Sequence, residues 1–275
     1  MSWPGAHRYL LRAALPALIL MVAACSSGPG PSAHPATTRA TPQPVTRSFA
    51  RNRFTVTFSG LALEKASASG VSLPQAVAPA LARISALLPG PGPKIPISVT
   101  YGGSHLTPQT GTGGQTNPAD GVIVISFGPT PQVSLSTVMK LWLPRVFAHE
   151  IDHSVRIATG VGIWPTLLQQ IIAEGISSAF DLAAFPGTPN PWDRAISRSQ
   201  ECVLWKKAQP LLGQTGLYDQ WFFGGPGLPV WTAFTIGYDI VTDYHHHHPG
   251  ASWPAITATA SDAILAGSHY QPCPP

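Results

Sequence analysis

Charged side chains are scarce. Asp, Glu, Lys and Arg make up 10% of the 275 residues, against roughly 25% in an average soluble domain. Hydrophobic residues supply 44%, so whole-chain disorder is excluded because ample apolar surface is available for burial. The formal charge of +4 falls to +2 once Arg8 and Arg12 leave with the leader described below. So weak and scattered a positive field excludes an electrostatic nucleic-acid binder. Long hydrophobic runs are lacking too. The longest, residues 13–24, reaches only ~18 Å as a helix, short of the roughly 30 Å hydrocarbon core of a bilayer. Cysteine occurs three times. Proline and glycine, by contrast, are abundant at 30 and 26 residues, implying long irregular connections.

Arg8 and Arg12, with no acid nearby, precede the apolar run, so residues 1–24 read as a secretory signal. The run ends at Val22-Ala23-Ala24-Cys25, which resembles the bacterial lipobox, where the cysteine is lipidated and becomes the new N-terminus. The chain is then expected outside the cytoplasm, anchored through Cys25 to the outer face of the cell membrane, or secreted if Cys25 stays unlipidated. Residues 25–50, rich in Ser, Gly, Pro and Thr, bury too little apolar area to fold and read as a disordered tether. Cys202 and Cys273 remain as an even pair in an oxidising compartment. The expectation is a disulfide pinning the C-terminal tail to the helix around Cys202, with two free thiols as the alternative.

Residues 51–275 read as one domain of the α+β class, a small, mostly antiparallel N-terminal sheet followed by a helical bundle. Residues 53–58 alternate apolar and polar side chains as strands do, and 95–101 and 121–127 read as further strands. Residues 74–88 carry apolar positions at helical spacing, stopped by Pro89-Gly90. Residues 102–120 show no periodicity and read as a loop able to cover a cleft. Helical segments follow near 136–158, 165–182, 191–212, 229–245 and 253–267.

Residues 149–153 read His-Glu-Ile-Asp-His. On a helix His149 and His153 lie one turn apart on one face and can present imidazole nitrogens to one ion, with Glu150 directed at a water on it. Two neutral imidazoles with a coordination position left open suit zinc, which brings the bound water's pKa to about 7. The carboxylate of Glu150 then takes the proton as general base. With ten His and four Glu in the chain, about 0.005 chance occurrences of this pattern are expected. Pro144 either opens this helix or kinks a longer one. The third ligand is expected at Glu174, which with Asp181 is the only charge in the apolar stretch 167–182, where an unpaired carboxylate would cost several kcal/mol. Gly175 beside it lets two helices approach closely. The four histidines at 245–248 precede Pro249-Gly250 and read as a solvated helix end that binds metal opportunistically.

His149-Glu150-x-x-His153 followed by Ala173-Glu174-Gly175 resembles the gluzincins, thermolysin-like zinc peptidases with a downstream glutamate ligand. More closely, the chain resembles a bacterial family of predicted zinc-dependent proteases under an unknown-function heading. There the histidine motif is often followed by an arginine, as by Arg156 here. A later block resembles residues 236–241, and Ser268-His269-Tyr270 stands near the end. The resemblance implies a zincin-like fold with one zinc held by His149, His153 and Glu174, and Glu150 as base. It also implies a strand at 121–127 whose edge pairs with an extended peptide. Thermolysin carries an aspartate four residues after its glutamate ligand; Ser178 stands there, so Asp181, one turn on, is expected to orient a ligand histidine. Tyr238 is the candidate oxyanion stabiliser, with Tyr101, His105 and Tyr244 as substitutes. The expected function is a monomeric extracytoplasmic zinc peptidase acting on peptides or proteins; the alternative is a non-catalytic zinc-binding scaffold lipoprotein. A solute-binding lipoprotein fits poorly, because no βαβ alternation is visible.

Overall fold

Strict alternation builds the sheet. β2 (Phe54–Phe58) buries both phenylalanines and Val56 on one face, and β3 (Ile95–Tyr101) and β5 (Ile123–Phe127) do the same with isoleucines, Val99 and Phe127. The computed structural model describes residues 42–89, 94–162 and 164–273. The expected signal, Cys25 and the tether as far as residue 41 lie outside the described residues.

Five strands follow the order β1-β2-β3-β5-β4. β1 (Val45–Phe49) pairs antiparallel with β2, and β4 (Thr112–Thr116) pairs antiparallel with β5. The two central pairings, β2 with β3 and β3 with β5, are parallel. The sheet is therefore mixed rather than mostly antiparallel within the α+β frame. A parallel neighbour demands a crossover, supplied between β2 and β3 by α1 (Gly60–Ala68) and α2 (Leu73–Leu87). Two strands correct the sequence expectation. β1 falls inside the stretch read as tether, where only Val45 and Phe49 are apolar; Phe49 meets Phe58 edge-on at 6.3 Å. β4 falls inside the stretch read as loop, because Thr-Gly-Gly-Gln-Thr has no apolar residue to alternate.

The helical half begins with a short turn, α3 (Leu135–Thr137), and a π-helical turn at Val138–Trp142 before α4 (Leu143–Arg156). Pro144 stands in the first turn of α4, and the wider π turn, in which the Leu143 N–H reaches the Val138 carbonyl, accommodates it. α5 (Leu167–Ala184) starts from a capping box between Thr166 and Gln169. α6 (Arg198–Ala208), α7 (Tyr218–Phe222), α8 (Thr232–His247), α9 (Trp253–Thr257) and α10 (Ser261–Ser268) complete the bundle. A disulfide joins Cys202 on α6 to Cys273. Among the described residues no helix is long and apolar enough to cross a membrane.

Two apolar cores result. One lies between the sheet, α2 and the inner face of α4, around Phe54, Ile97, Phe147 and Ile151. The other fills the bundle, around Ile171, Ile176, Trp221 and Ile240. α5 and α8 touch backbone to backbone through glycines: a Cβ on Gly175 would lie 2.2 Å from the Gly237 carbonyl oxygen, and one on Gly237 2.1 Å from that of Ile171. Gly237→Ala should therefore lower stability by about 1–3 kcal/mol through overpacking against rigid backbone. Thermal unfolding should show the loss, while Gly213→Ala, where a Cβ meets open space, should leave the midpoint nearly unchanged.

Candidate metal centre

α4 is buried on almost every side, and its ionisable groups are buried with it. His149 and His153 point from one face of α4 toward Glu174, in the middle part of α5 beyond its Thr166 cap. Nε2 of His149 lies 3.2 Å from Oε2 of Glu174, and Nε2 of His153 lies 3.3 Å from the same oxygen. Donors at 2.0–2.1 Å on a tetrahedral ion stand about 3.4 Å apart, so these two separations suit a shared zinc. The three side chains are only 10%, 5% and 8% exposed, which keeps water from screening the site.

The charge balance points the same way. Burial alone would depress the His149 imidazole, yet the carboxylates of Asp181 and Glu174 hold its pKa well above the usual histidine value. Burial would raise Glu174, but His153 and His149 pull it far below the ordinary carboxylate range. A site that keeps a proton on an imidazole against burial has the negative potential a divalent cation requires.

Each histidine is backed by its own chain of groups. Ser177 Oγ donates to Asp152 Oδ2 at 2.9 Å and lies 3.0 Å from His153 Nδ1. Because the single serine proton is committed to Asp152, His153 must donate from Nδ1, which leaves the Nε2 lone pair for the ion. Thr257 donates to the other Asp152 oxygen at 2.6 Å. Arg156 pins that turn, donating to the carbonyls of Thr257 and Thr259 at 2.7 and 2.9 Å and to Ser261. Behind His149, Asp181 Oδ2 stands 3.7 Å from Nδ1, a charge contact rather than a hydrogen bond. Asn190 donates to Asp181 and to Asp193 at 2.9 and 3.0 Å. Arg145 holds the loop carrying Asn190 through the carbonyls of Phe185 and Thr188.

Glu150 faces the other way, toward β4. Thr116 Oγ1 donates to its Oε2 at 2.7 Å, and a Cβ on Gly114 would lie 2.3 Å from its Oε1. The glycine on this strand is thus the space the carboxylate occupies. In the β4–β5 ladder Gly113 and Gln115 face β5, so the N–H and C=O of Gly114 and Thr116 point out of the sheet. Thr112, also outward-facing, is met by Thr107 and Thr110. The free edge beside Glu150 therefore belongs to β4, and β5, expected as that edge, is internal.

Two tyrosines differ in where they lie. Tyr238 packs in the bundle core with the Arg194 guanidinium 5.1 Å over its ring. Tyr218 on α7 instead donates to Glu174 Oε1 at 2.9 Å and stacks on Phe222 at 4.4 Å. Burial and the Glu174 charge raise its pKa well above the usual value, so it remains a donor. Of the substitutes, Tyr101 meets Phe127 edge-on and Tyr244 stacks on His248, while the His105 backbone covers Gly113. The aromatic density of residues 218–223 was the available signal for Tyr218. Trp164 packs its ring 4.8 Å from that of His153.

The fold and this cluster define an α+β protein with a candidate zinc site of two histidines and a glutamate. Residues 74–266 match the model of a family described as predicted Zn-dependent protease, DUF2268, and the chain belongs to that family. The match takes in both metal segments, the Arg156 turn and the glycine contact between α5 and α8. No curated protein and no solved structure matches the chain.

Two outcomes follow from this geometry. Ser177→Ala should weaken zinc binding about 10–100-fold while leaving helix content intact, because it frees the His153 tautomer and strands Asp152; competition against a chelator reads the affinity. The proton on His149 must leave before an ion binds, so zinc affinity should rise with pH through the ordinary histidine range and beyond it, with proton release detectable by calorimetry in buffers of different ionisation enthalpy.

Proposed function

We propose that the chain is an extracytoplasmic zinc peptidase of gluzincin type that hydrolyses peptide bonds, with His149, His153 and Glu174 as ligands of one zinc. The observation that carries the reading is the convergence of Nε2, Nε2 and Oε2 at 3.2 and 3.3 Å, with a second carboxylate, Glu150, on the same helix as the histidines and held by Thr116. When bound, zinc would polarise the scissile carbonyl and acidify a water. Glu150 acts as general base, its carboxylate aimed by Thr116 and given room by Gly114, and then returns the proton to the leaving amine. An extended peptide pairs with the outward N–H and C=O groups of Gly114 and Thr116, which brings its backbone alongside Glu150. Tyr218 is the donor for the developing oxyanion, since its hydroxyl stays protonated next to Glu174. Asp181 and Ser177 serve the two histidines from behind. A non-catalytic scaffold would have no use for the space and the hydrogen bond reserved for Glu150, which favours catalysis.

The leader, with Arg8 and Arg12 before the run at 13–24 and the lipobox-like Val22-Ala23-Ala24-Cys25, supports export and a lipid anchor at Cys25. The Cys202–Cys273 disulfide suits an oxidising compartment. Peptides or proteins outside the cytoplasm are then the substrates, met by a monomer.

Glu150→Gln should retain zinc and lose hydrolysis of a peptide library by about 10²–10⁴-fold. Wild-type turnover in that variant would overturn the mechanism. Gly114→Ala, which drives a methyl into the Glu150 carboxylate, should likewise depress turnover while the zinc content stays at the wild-type level.

A further inference from the structure

The four histidines at 245–248 do not act as one tract. They end α8, a 16-residue helix, on which successive residues advance about 100°. Relative to Asp243, His246 and His247 stand about 60° to one side and 40° to the other, while His245 and His248 lie roughly 140–160° away. The contacts divide accordingly. His245 packs its ring 5.1 Å from that of Trp253. His248 stacks on Tyr244 at 4.2 Å, with Nδ1 2.8 Å from the Tyr244 carbonyl oxygen. His246 and His247 remain on the solvent side with Asp243, and one ligand atom from each of these three residues lies within 4.8 Å of the other two. His247 Nδ1 reaches the Asp243 carbonyl oxygen at 2.9 Å, an arrangement that places the proton on Nδ1 and leaves the Nε2 lone pair free. The ring of His269, at the left-handed C-cap of α10, stands 4.6 Å from that of His247.

We propose that Asp243, His246 and His247 form a second, surface site for a borderline divalent cation such as zinc, with the His269 imidazole beside it. Two neutral imidazoles and a carboxylate are a donor set that selects such ions over magnesium or calcium. The negative end of the helix dipole adds to the attraction for a cation at this position. Consecutive histidines cannot share an ion by themselves; two that bracket an aspartate three and four residues upstream can. With Asp243 and His247 side chains 35% and 39% exposed, the ion exchanges with solvent, unlike one held by the buried cluster. The proposal is independent of peptidase activity.

The test uses the full chain purified without an affinity tag, equilibrated against buffered zinc and analysed for bound metal. Wild type should hold two ions. His246→Gln with His247→Gln, or Asp243→Asn alone, should lose one, and His149→Ala should lose the other while keeping the surface ion. His245→Gln with His248→Gln should keep both. Two ions persisting in the 246/247 variant would overturn the proposal, as would a single wild-type ion that disappears with His149→Ala. Equal loss in the 245/248 variant would overturn it too, by reducing the site to indiscriminate chelation.

Discussion

Desolvation of α4 is the constraint on which the rest of the structure depends. Arg145, His149, Glu150, Asp152, His153 and Arg156 are all buried on this one helix, and a buried charge without a partner costs several kcal/mol. They are answered from other elements: Glu150 by Thr116 of the sheet, Asp152 by Ser177 of α5 and Thr257 of α9, and the histidines by Glu174 of α5. The two arginines bracket the motif and hold the loops that deliver the more distant partners. Fixing these groups in place is what gives the metal cluster its geometry before any ion arrives.

The cluster sits where two apolar cores meet. α4 shows one face to the sheet core and α5 belongs mainly to the bundle core, so the polar groups occupy the seam between them. Close glycine packing of α5 on α8 sets the depth at which Glu174 is presented. The β4–β5 hairpin closes the opposite side, held to α4 by Thr116 and by a hydrogen bond from Ser154 to the Gly121 carbonyl. The β4 edge, Glu150 and the candidate ligands are thereby fixed by packing rather than by loops, as the sub-ångström placement of a proposed catalytic site requires.

Burial also leaves a cluster of carboxylates behind the first histidine. Asp193 is pushed up to about 7 by burial and by the neighbouring Asp181 charge. An acid whose native pKa exceeds its unfolded value of 3.8 binds more protons in the folded state. Its contribution therefore favours folding most at low pH and weakens as pH climbs toward neutrality. The support behind His149 is thus tuned by solvent differently from the neutral Ser177 hydroxyl behind His153.

Much of this was legible in the residue order. Local periodicity located β2, β3, β5, α2, α4, α5 and α8, because an apolar repeat of two or of three to four records which face is buried. The candidate ligands His149 and His153 follow from helical spacing, and Glu174 from the improbability of a lone carboxylate in an apolar helix. Nothing local marks Thr116, Ser177, Tyr218 or the strand at Thr112–Thr116, since a hydroxyl or a glycine acquires its role only from what faces it. The sequence by itself determined the apolar strands and helices, the two helices that carry the candidate cluster and the charges that had to be compensated. Tertiary structure alone decided the partners, because hydrogen bonds and packing across 24 to 105 residues of chain depend on how helices and sheet close on one another.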